Sequence, residues 1–440
     1  MIRFKTIAIF LLAVSVSHYK VWGQSGSWAD YQEPYSSSGT TITIANAGQL
    51  ARLAAVVNEG ADFSDVTINL TADINLGEHY WMPIGTALHP FNGKFVGFSH
   101  TVSGLNINDA DLDNAGLFGY ASGATISGLT VSAGSIAADE NVGILAGSLI
   151  SSTLTNCSVS ATSISGSRNV SALVGYRDKV SGITSCTVTS AVSVSLASSS
   201  DLTADNLNKP CDVTLSGRTL YKDGAWNTIC LPFDYDPAYG VLSGDGVEVY
   251  TLTDQANKAA EIIEDRLILI FGDNVAGNGV MRAGAPYIIK WNNTGSNLSN
   301  PVFNGVVPRV TSTDDYNNGV EGANRVRFCG TFDPISFSSS DQSILFMGEE
   351  NTLYYPNGIK TIKVGAFRAY FKIGDYSGSS KIKDFDLNFG DATDITSDFI
   401  FDEMENSSDN KWFTIDGRCI IGKPTEKGLY IHKGRKEIIK

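Results

Sequence analysis

Apolar and polar residues alternate in three short stretches within the first half of the chain. Leu129 and Val131 flank Thr130, and the same order returns around Ser158 and around Thr187. A period of two places successive side chains on opposite faces, which predicts β-strands with one dry face and one polar face. The stretches belong to longer phrases that each begin with asparagine, at residues 114–136, 141–164 and 169–194.

These phrases repeat with a nearly constant period. The spacing is 28 and 28 residues in a glycine column and 28 and 29 in a valine column, formed by Gly119, Gly147 and Gly175 and by Val131, Val159 and Val188. Strands this short cannot bury a face alone, so the copies must stack, about 4.8 Å apart. The repeat predicts a parallel β-helix or solenoid over residues 24–200, with the valines in one interior file. We expect the glycines at corners that need a positive φ.

A shorter relative of the strand phrase precedes the repeats at residues 100–107. Its Leu105 and Ile107 align with Leu129 and Val131. In this alignment Cys157 and Cys186 continue the column of Leu105 and Leu129, so we expect the two cysteines to be inward neighbours. Core thiols that behave as small apolar groups and a disulfide both satisfy that placement.

A single amphipathic stretch interrupts the strand pattern at residues 46–60. Asn46 is a suitable N-cap, and the apolar stripe of a short helix follows it at Leu50, Leu53, Ala54 and Val57. Residues 58–60 contain the asparagine and glycine that end such a helix. Because a solenoid needs its open end covered, we expect this helix to be the N-terminal plug.

The second half of the chain has a different sequence pattern, without the repeats of the first half. Residues 201–210 are polar and rich in turn formers, which predicts a linker. Residues 212–235 alternate on both sides of an Asp223-Gly224 pair, which predicts a hairpin. Many short strand patterns separated by turns follow, and they favour a β-sandwich domain over residues 211–395. The whole chain is therefore predicted to be all-β, ending in a small β domain over residues 396–440.

Composition and charge indicate the cellular location of the protein rather than its activity. The basic start and the apolar run at residues 6–16 resemble a secretory signal peptide over residues 1–23. The apolar run is too short to span a membrane as a permanent helix. The net charge of −14 argues against nucleic-acid partners, because no phosphate-neutralising patch is present. Residues 411–440 differ from the rest, with 8 basic and 3 acidic residues. We expect an exported protein without a transmembrane segment, located at the cell surface or outside the cell.

Two parts of the chain resemble known families. The "GLFG" phrase at residues 116–119, with the strands around it, resembles the GLUG-motif repeats of bacterial surface proteins, which implies an exported, often adhesin-like β-solenoid. Ser171 departs from that pattern where a glycine is expected. The tail is similar to the C-terminal sorting domains of type IX secretion in Bacteroidetes, on the residues Phe413, Asp416, Gly417, Arg418, Gly428, Tyr430, Ile431 and Gly434. That resemblance implies a contact with export machinery, and Cys419 is not part of the motif.

Candidate chemistry is sparse. His79 and His89 lack metal-ligand spacing, and His100 is expected to form a hydrogen bond at a corner of the solenoid. Asp109, Asp111 and Asp113 alternate as in a calcium loop, but Asn114 and Tyr120 occupy positions where glycine and glutamate are needed. A solvated loop and a calcium site both remain open there.

Two further groups could bear on function. Residues 177–179 form a charged cluster that we interpret as a solvated turn, and the aromatic residues Tyr80, Trp81 and Tyr120 could stack on sugar rings or pack internally. Disulfide-scaffold and paired zinc-ligand spacings are absent from the six cysteines. We therefore predict no catalytic, cofactor-binding or metal-binding residues and no cofactor.

Three functions fit these observations. The leading hypothesis is an exported, non-catalytic surface protein that adheres to glycan or protein through the solenoid, with the sandwich as a spacer. The first alternative is a carbohydrate-active enzyme, a polysaccharide lyase or glycosidase built on a β-helix. The second is a structural component of a surface layer or fimbria. A face of charged side chains would favour the enzyme, and a flat face of serine, threonine and asparagine would favour the binder.

Overall fold

The computed structural model is an all-β protein with one substantial α-helix, α1 (Ala47–Asn58), and a short one, α2 (Val275–Asn278). The chain forms two compact units that divide between Phe389 and Gly390. The predicted signal peptide, residues 1–23, lies outside the described residues. The structure describes residues 26–190, 192–252, 260–263, 266–313, 326–348, 351, 353–356, 361–373, 384–389, 411–414, 419–421, 424, 428–432 and 435–439.

The first half of the chain is a β-solenoid of about five turns, as the repeat predicts. One sheet holds the parallel strands β2, β3, β5, β8, β12 and β16, a second holds β4, β6, β9, β13 and β17, and smaller sheets hold β7, β11 and β15 and β10 and β14. The strands are β1 Ser36–Ser38, β2 Thr41–Ile44, β3 Thr67–Leu70, β4 Ile74–Asn75, β5 Lys94–Val96, β6 Thr101–Asn108, β7 Phe118–Ser122, β8 Thr125–Ser127, β9 Thr130–Ala137, β10 Glu140–Val142, β11 Ala146–Ile150, β12 Thr153–Thr155, β13 Ser158–Ser165, β14 Arg168–Val170, β15 Val174–Arg177, β16 Gly182–Thr184 and β17 Thr187–Val188.

The predicted interior file of valines is present. Val159 pairs in register with Val131 on one side and with Val188 on the other. The file continues backwards through Val102 to Ile74. Most members are buried, and stacked apolar side chains of this kind form the core of the solenoid.

The predicted alignment of residues 100–107 is wrong by several positions. Val102 pairs with Val131, and Leu105 pairs with Ala133 rather than lying beside Leu129. Two residues of a tight turn, Phe98 and Ser99, are inserted before β6, and the register shifts again within the strand. The cysteine column therefore begins at Leu129, which precedes β9 as Cys157 precedes β13.

The predicted role of the glycine column is also wrong. Gly119, Gly147 and Gly175 do not adopt a positive φ. A Cβ atom on Gly147 would instead collide with the backbone of Asn114 in the preceding turn, so the column is glycine because two backbones approach closely. The left-handed corners are occupied by the asparagines that begin the repeats, Asn114, Asn141 and Asn169.

These three asparagines form a ladder along the solenoid. Asn169 Nδ2 donates to Asn141 Oδ1 at 2.7 Å, and Asn141 Nδ2 donates to Asn114 Oδ1 at 3.3 Å. Asparagine tolerates the left-handed region better than most residues, and its carboxamide can donate to one neighbour and accept from another. The first letter of each repeat is therefore a corner residue that links successive turns.

Helix α1 begins and ends where the sequence predicts. The Asn46 side chain accepts a hydrogen bond from the amide of Gln49 at 2.9 Å, which satisfies one of the free donors of the first turn. Leu50, Leu53 and Val57 are fully buried and belong to the same core as the solenoid strands. The helix connects β2 to β3, in the first turn, and its apolar side extends the core at that end.

The rest of the first unit contains small sheets around two further apolar cores. The β-sandwich remains a prediction for this region. Its strands are β18 Val192–Leu196, β19 Cys211–Leu215, β20 Thr219–Leu220, β21 Asn227–Cys230, β22 Val247–Tyr250, β23 Ala260–Ile263, β24 Arg266–Ile270, β25 Pro286–Trp291, β26 Leu298–Ser299, β27 Val302–Val306, β28 Val326–Thr331, β29 Ile335–Phe337, β30 Ile344–Met347, β31 Leu353–Tyr354, β32 Ile362–Val364, β33 Arg368–Ile373 and β34 Asp384–Asn388.

The hairpin predicted for residues 212–235 does not form. Strand β20 pairs with β26 and strand β21 pairs with β25, so the two halves lie in different sheets. Both stretches form strands, as their alternation predicts, but the strands that pair with them come from residues 286–299. Alternation specifies a strand and its buried face, and it leaves the choice of partner to tertiary packing.

Residues 201–210, predicted as a linker, are packed against both halves of the unit. Asn206 is buried, and its Nδ2 donates to the carbonyl of Asp201 at 2.7 Å. The carbonyl of Asn208 accepts the amide of Ile164 in the solenoid, and the amide of Asn208 donates to the carbonyl of Pro308. The segment therefore connects the last solenoid turns to the neighbouring sheets by backbone hydrogen bonds.

The second unit contains one antiparallel sheet in the order β36-β35-β37-β38. Of the tail motif, Asp416, Gly417, Arg418 and Gly434 lie outside the described residues. The sorting role of this unit remains a prediction. Its strands are β35 Lys411–Thr414, β36 Cys419–Ile421, β37 Gly428–His432 and β38 Arg435–Ile439.

Candidate functional site

One sheet of the solenoid presents a flat, uncharged outer surface. Strands β6, β9 and β13 stack in parallel, with β9 and β13 in continuous register and β6 shifting register within its length, and their sequences contain no charged residue. The outward side chains are hydroxyls and carboxamides, and none is buried. We call this surface the hydroxyl face, and it comprises Thr101, Ser103, Asn106, Asn108, Thr130, Ser132, Ser135, Ser158, Ser160 and Ser163.

The register arranges these groups in rows across the turns. Thr130 lies between Thr101 and Ser158, and Ser163 Oγ donates to Ser135 Oγ at 2.9 Å. Identical rows of small polar groups stack without the repulsion that like charges would create between neighbouring strands. Each hydroxyl can still donate and accept, so the face offers a regular array of hydrogen-bonding groups to a ligand.

A shallow groove of about 430 Å³ lies at the end of this face where β6 ends. Its lining joins the hydroxyl face to the segment that follows β4. A carboxylate, an imidazole, a phenol, two carboxamides and a hydroxyl surround the opening, on Glu78, His79, Tyr80, Asn106, Asn108 and Ser135, with Gly77 and Ile107. A neutral ligand with many hydroxyl groups matches this mixture of donors and acceptors.

An aromatic platform stands beside the groove. The rings of Tyr31 and His79 are stacked with centroids 3.9 Å apart and planes 7° from parallel, and Trp28 meets His79 edge-on. Tyr31 remains 48% exposed. The buried Nδ1 of His79 has no hydrogen-bond partner among the residues that the structure describes. A stacked pair with an exposed outer ring is a surface on which a sugar ring can lie.

Asn106 holds the groove in shape. Its Oδ1 accepts the amide of Ser135 at 3.0 Å, and its Nδ2 donates to the carbonyl of Gly104 at 3.0 Å. Position 134 is glycine, and a Cβ atom there would collide with the Asn106 side chain. The carboxamide is therefore fixed by two neighbouring strands at the point where the groove meets the hydroxyl face.

The opposite end of β6 carries an exposed aromatic residue in a strained conformation. Phe98 and Ser99 both have a positive φ, and the amide of His100 donates to the carbonyl of Gly97 at 2.8 Å, closing a tight turn. Phe98 is 61% exposed. The left-handed region costs an L-residue roughly 1–2 kcal/mol, and strain of this kind concentrates at functional positions.

Among the predicted histidines, His100 lies where the sequence suggests. Its Nδ1 is 3.2 Å from Asp73 Oδ1, at the corner before β6. The Asp73 carboxylate also accepts the amide of Thr101, and these two hydrogen bonds, the Thr101 one foremost, lower the pKa of Asp73. His89 Nδ1 lies 2.7 Å from the carbonyl of Asn58 at another corner.

The predicted aromatic residues divide between surface and core. Tyr80 lines the groove, whereas Trp81 is buried and its Nε1 donates to the carbonyl of Leu117 at 3.0 Å. Tyr120 lies on β7, in a different sheet from the hydroxyl face. Of the three, only Tyr80 is thus placed to touch a ligand in the groove.

The alternating aspartates form a loop between β6 and β7. Asp109 Oδ1 accepts the amide of Asp111 at 3.1 Å, which is the geometry of a local turn. In the part of the chain that the structure describes, no three histidine, cysteine or acidic side chains group as metal ligands.

The interpretation of residues 177–179 as a solvated turn is wrong for Arg177. Its Nε is 2.6 Å from Asp236 Oδ2, and its guanidinium lies 3.9 Å from the ring centroid of Tyr239. Burial raises the pKa of Asp236, and the charge of Arg177 opposes that rise. Asp236 and Tyr239 are 59 and 62 residues further along the chain than Arg177. Their contacts with Arg177 therefore join the last solenoid turn to the next region.

Tyr31, Asn106 and Phe98 are among the residues that the sequence did not single out. Tyr31 lies far from the repeats, and Asn106 is one polar residue among many. The sequence does contain a signal for Phe98, because an alignment of Gly97 with Gly128 shows two extra residues before β6. An insertion at a corner of a repeat marks the turn that differs from its neighbours.

The chain matches no protein-family model, no curated protein and no solved structure. Within the described residues, neither helix combines the length and apolar character required to cross a bilayer. Functional conclusions therefore depend on the geometry of the solenoid surface.

Proposed function

We propose that this chain is an exported, non-catalytic, adhesin-like protein that binds glycan through its solenoid. The hydroxyl face with its groove is the binding surface, and Tyr31, His79 and Tyr80 provide aromatic contacts. The second half of the first unit serves as a spacer. Residues 1–23 direct export, and the basic tail contacts sorting machinery at the cell surface.

The observation that carries this proposal is the uncharged array beside a stacked aromatic pair. A sugar presents hydroxyl groups around its edge and C–H groups on its faces, so it needs hydrogen-bonding partners together with an aromatic plane. Rows of serine and threonine supply the partners, and the exposed ring of Tyr31 supplies the plane. A protein ligand would more often require a larger apolar patch at the centre of its interface.

The alternative of a carbohydrate-active enzyme has less support. Glycosidases use two carboxyl groups about 5–9.5 Å apart across the scissile bond. The groove lining contains one carboxylate, that of Glu78. The ion pair between Arg168 and Glu140 links β14 to β10, away from the groove. A single exposed acid favours recognition over hydrolysis.

The proposal is tested by glycan-array binding of the full chain, followed by titration of the best ligand. Tyr31→Ala removes the exposed ring, and we expect it to weaken binding roughly tenfold, as loss of one stacking contact does. Tyr354→Ala is the matched control, because Tyr354 is 43% exposed but lies on β31, outside the solenoid.

Each alternative has its own readout in the same experiment. Equal affinity of Tyr31→Ala and wild type for the array ligand would contradict the assigned surface. Release of reducing ends or unsaturated products from that ligand would establish the enzyme instead. Failure to bind any glycan, together with ordered self-assembly of the purified chain, would favour the surface-layer alternative.

A further inference from the structure

Two cysteines occupy equivalent positions in successive turns of the solenoid. Cys157 directly precedes β13 and Cys186 directly precedes β17, and Ser158 pairs in register with Thr187. Neighbouring strands lie about 4.8 Å apart. That spacing falls inside the range of about 4.4–6.8 Å over which the Cα atoms of two cysteines can be bridged by a disulfide.

The two thiols are in contact but differ in access to solvent. The Cys157 Sγ donates to the carbonyl of Thr155 and the Cys186 Sγ to the carbonyl of Thr184, each at 3.5 Å, and Cys157 is buried whereas Cys186 is half-buried. The other cysteines with described side chains, Cys211, Cys230 and Cys329, are all buried. Cys186 is thus the accessible member of a preformed pair.

Electrostatics favours ionisation of the accessible thiol. The neighbouring Cys157 thiol lowers the pKa of Cys186, despite the partial burial of Cys186. The same contact, together with burial, raises the pKa of Cys157. By contrast, burial raises the pKa of Cys211 to about 11. The lowered pKa favours the thiolate of Cys186, which is the form that attacks disulfides.

We propose that Cys157 and Cys186 form a redox-modifiable site, closed into a disulfide between the last two solenoid turns by exchange with a low-molecular-weight disulfide. The Cys186 thiolate attacks one sulfur of the small disulfide, forms a mixed disulfide and releases one small thiolate. The Cys157 sulfur then attacks the Cys186 sulfur and displaces the second small thiolate, which takes up the Cys157 proton. Two protein thiols are oxidised, and one small disulfide is reduced to two thiols.

The bond would reinforce the turn that has least support from the core. Ile183, Cys186 and Val188 are only partly buried, whereas their equivalents Leu154, Cys157 and Val159 in the preceding turn are buried. A cross-link between the two turns restricts the unfolded chain over a 29-residue separation. Oxidation therefore stabilises the turn on which the junction with the next region is built.

The experiment uses the full chain, reduced and then incubated with oxidised glutathione, followed by alkylation and peptide mapping. We expect one peptide pair joined through Cys157 and Cys186, two mass units lighter than the free thiols, and a Tm about 5 °C above that of the reduced chain. In Cys157→Ala, Cys186 should stop at the glutathione adduct. The adduct should also form with a pH midpoint shifted upward from that of the wild-type chain, because the neighbouring thiol is gone.

Cys211→Ser is the matched control, since it removes a buried cysteine outside the pair. It should leave the cross-link and the pH midpoint unchanged. Recovery of Cys157 and Cys186 as alkylated thiols after prolonged oxidation of the wild-type chain would overturn the proposal. An unchanged pH midpoint in Cys157→Ala would equally overturn the assigned role of the Cys157 thiol.

Discussion

A buried aspartate at the junction between the solenoid and the next region gives the sharpest test of the architecture. Asp234 is 3% exposed, and Arg309 contacts its carboxylate with Nε at 3.0 Å and Nη2 at 2.9 Å. The same carboxylate accepts the amides of Val170 at 2.8 Å and Ala283 at 2.7 Å. Val170 ends β14, the last strand of its sheet, so Asp234 satisfies a donor that would otherwise be unpaired at that edge.

The substitution Asp234→Ala removes all four hydrogen bonds at once. It removes the carboxylate that pairs with the buried Arg309 guanidinium, and two buried amides lose their acceptor. Breaking a buried ion pair from one side costs about 3–5 kcal/mol. We therefore expect the free energy of unfolding to fall by about 4 kcal/mol, with most of the loss due to the missing ion pair and the two amides without an acceptor.

The measurement is urea unfolding of the full chain, with hydrogen exchange to locate the effect. Exchange of amides in β14 to β17 should accelerate, whereas those in β3 and β5 at the far end should change little. Asp205→Asn is the control, because Asp205 is exposed and its carboxylate bears no comparable network. An Asp234→Ala midpoint equal to that of the control would refute the reasoning.

A second substitution separates the effect of the Arg309 charge from the effect of the lost hydrogen bonds. In the double variant Asp234→Ala with Arg309→Met, both charges of this pair are absent, and part of the stability should return. Removing both partners of a buried pair is often close to neutral. If the double variant is less stable than Asp234→Ala alone, packing of the Arg309 side chain, rather than its charge, determines the cost.

Three further outcomes follow from the solenoid. Gly147→Ala should cost about 3 kcal/mol in urea unfolding because the new methyl group meets backbone, whereas Gly123→Ala, at a φ of 70° in open space, should cost only about 1 kcal/mol. Asp73 has a pKa lowered below its ordinary value of 3.8 by hydrogen bonds from a backbone amide and an imidazole. Its stabilisation is present above that value and is lost as the pH falls through the lowered pKa, so the urea midpoints of wild type and Asp73→Ala should differ at about pH 5 and converge at about pH 2. Phe98→Asn should keep or raise stability by up to about 1 kcal/mol while weakening glycan binding, and unchanged binding would exclude the strained turn from the site.

The solenoid was predictable because its information is local and repeated. Alternation around Val131, Val159 and Val188 specifies strands and a buried side, and equal spacing requires those strands to stack. Where the repeat is imperfect, prediction failed in a definite way. The two-residue insertion at Phe98 shifted the alignment of β6, and the glycine column was assigned to corners because spacing does not distinguish a bend from a close approach.

The binding surface was only partly predictable. The polar residues of β9 and β13 occupy the positions between the apolar residues of each alternation. The repeat itself therefore predicts an uncharged face. It does not predict the groove and its aromatic platform, because Tyr31, His79 and Ser135 are far apart along the chain. They come together only when the turns wind, where Tyr31 stacks on His79 and His79 lines the groove with Ser135. No local pattern encodes that meeting.

What the sequence determined by itself is the set of strands, the capped helix at residues 46–60 and the stacking of the turns. These features depend on periodicity and on neighbours a fixed distance apart, which a single chain displays directly. Only the tertiary structure decided that β20 and β21 belong to different sheets, that Arg177 is a junction residue, and that Asp234 satisfies the amide of Val170. Those choices depend on which distant groups become buried together, and a buried charge or amide is satisfied by whichever partner packing brings within reach.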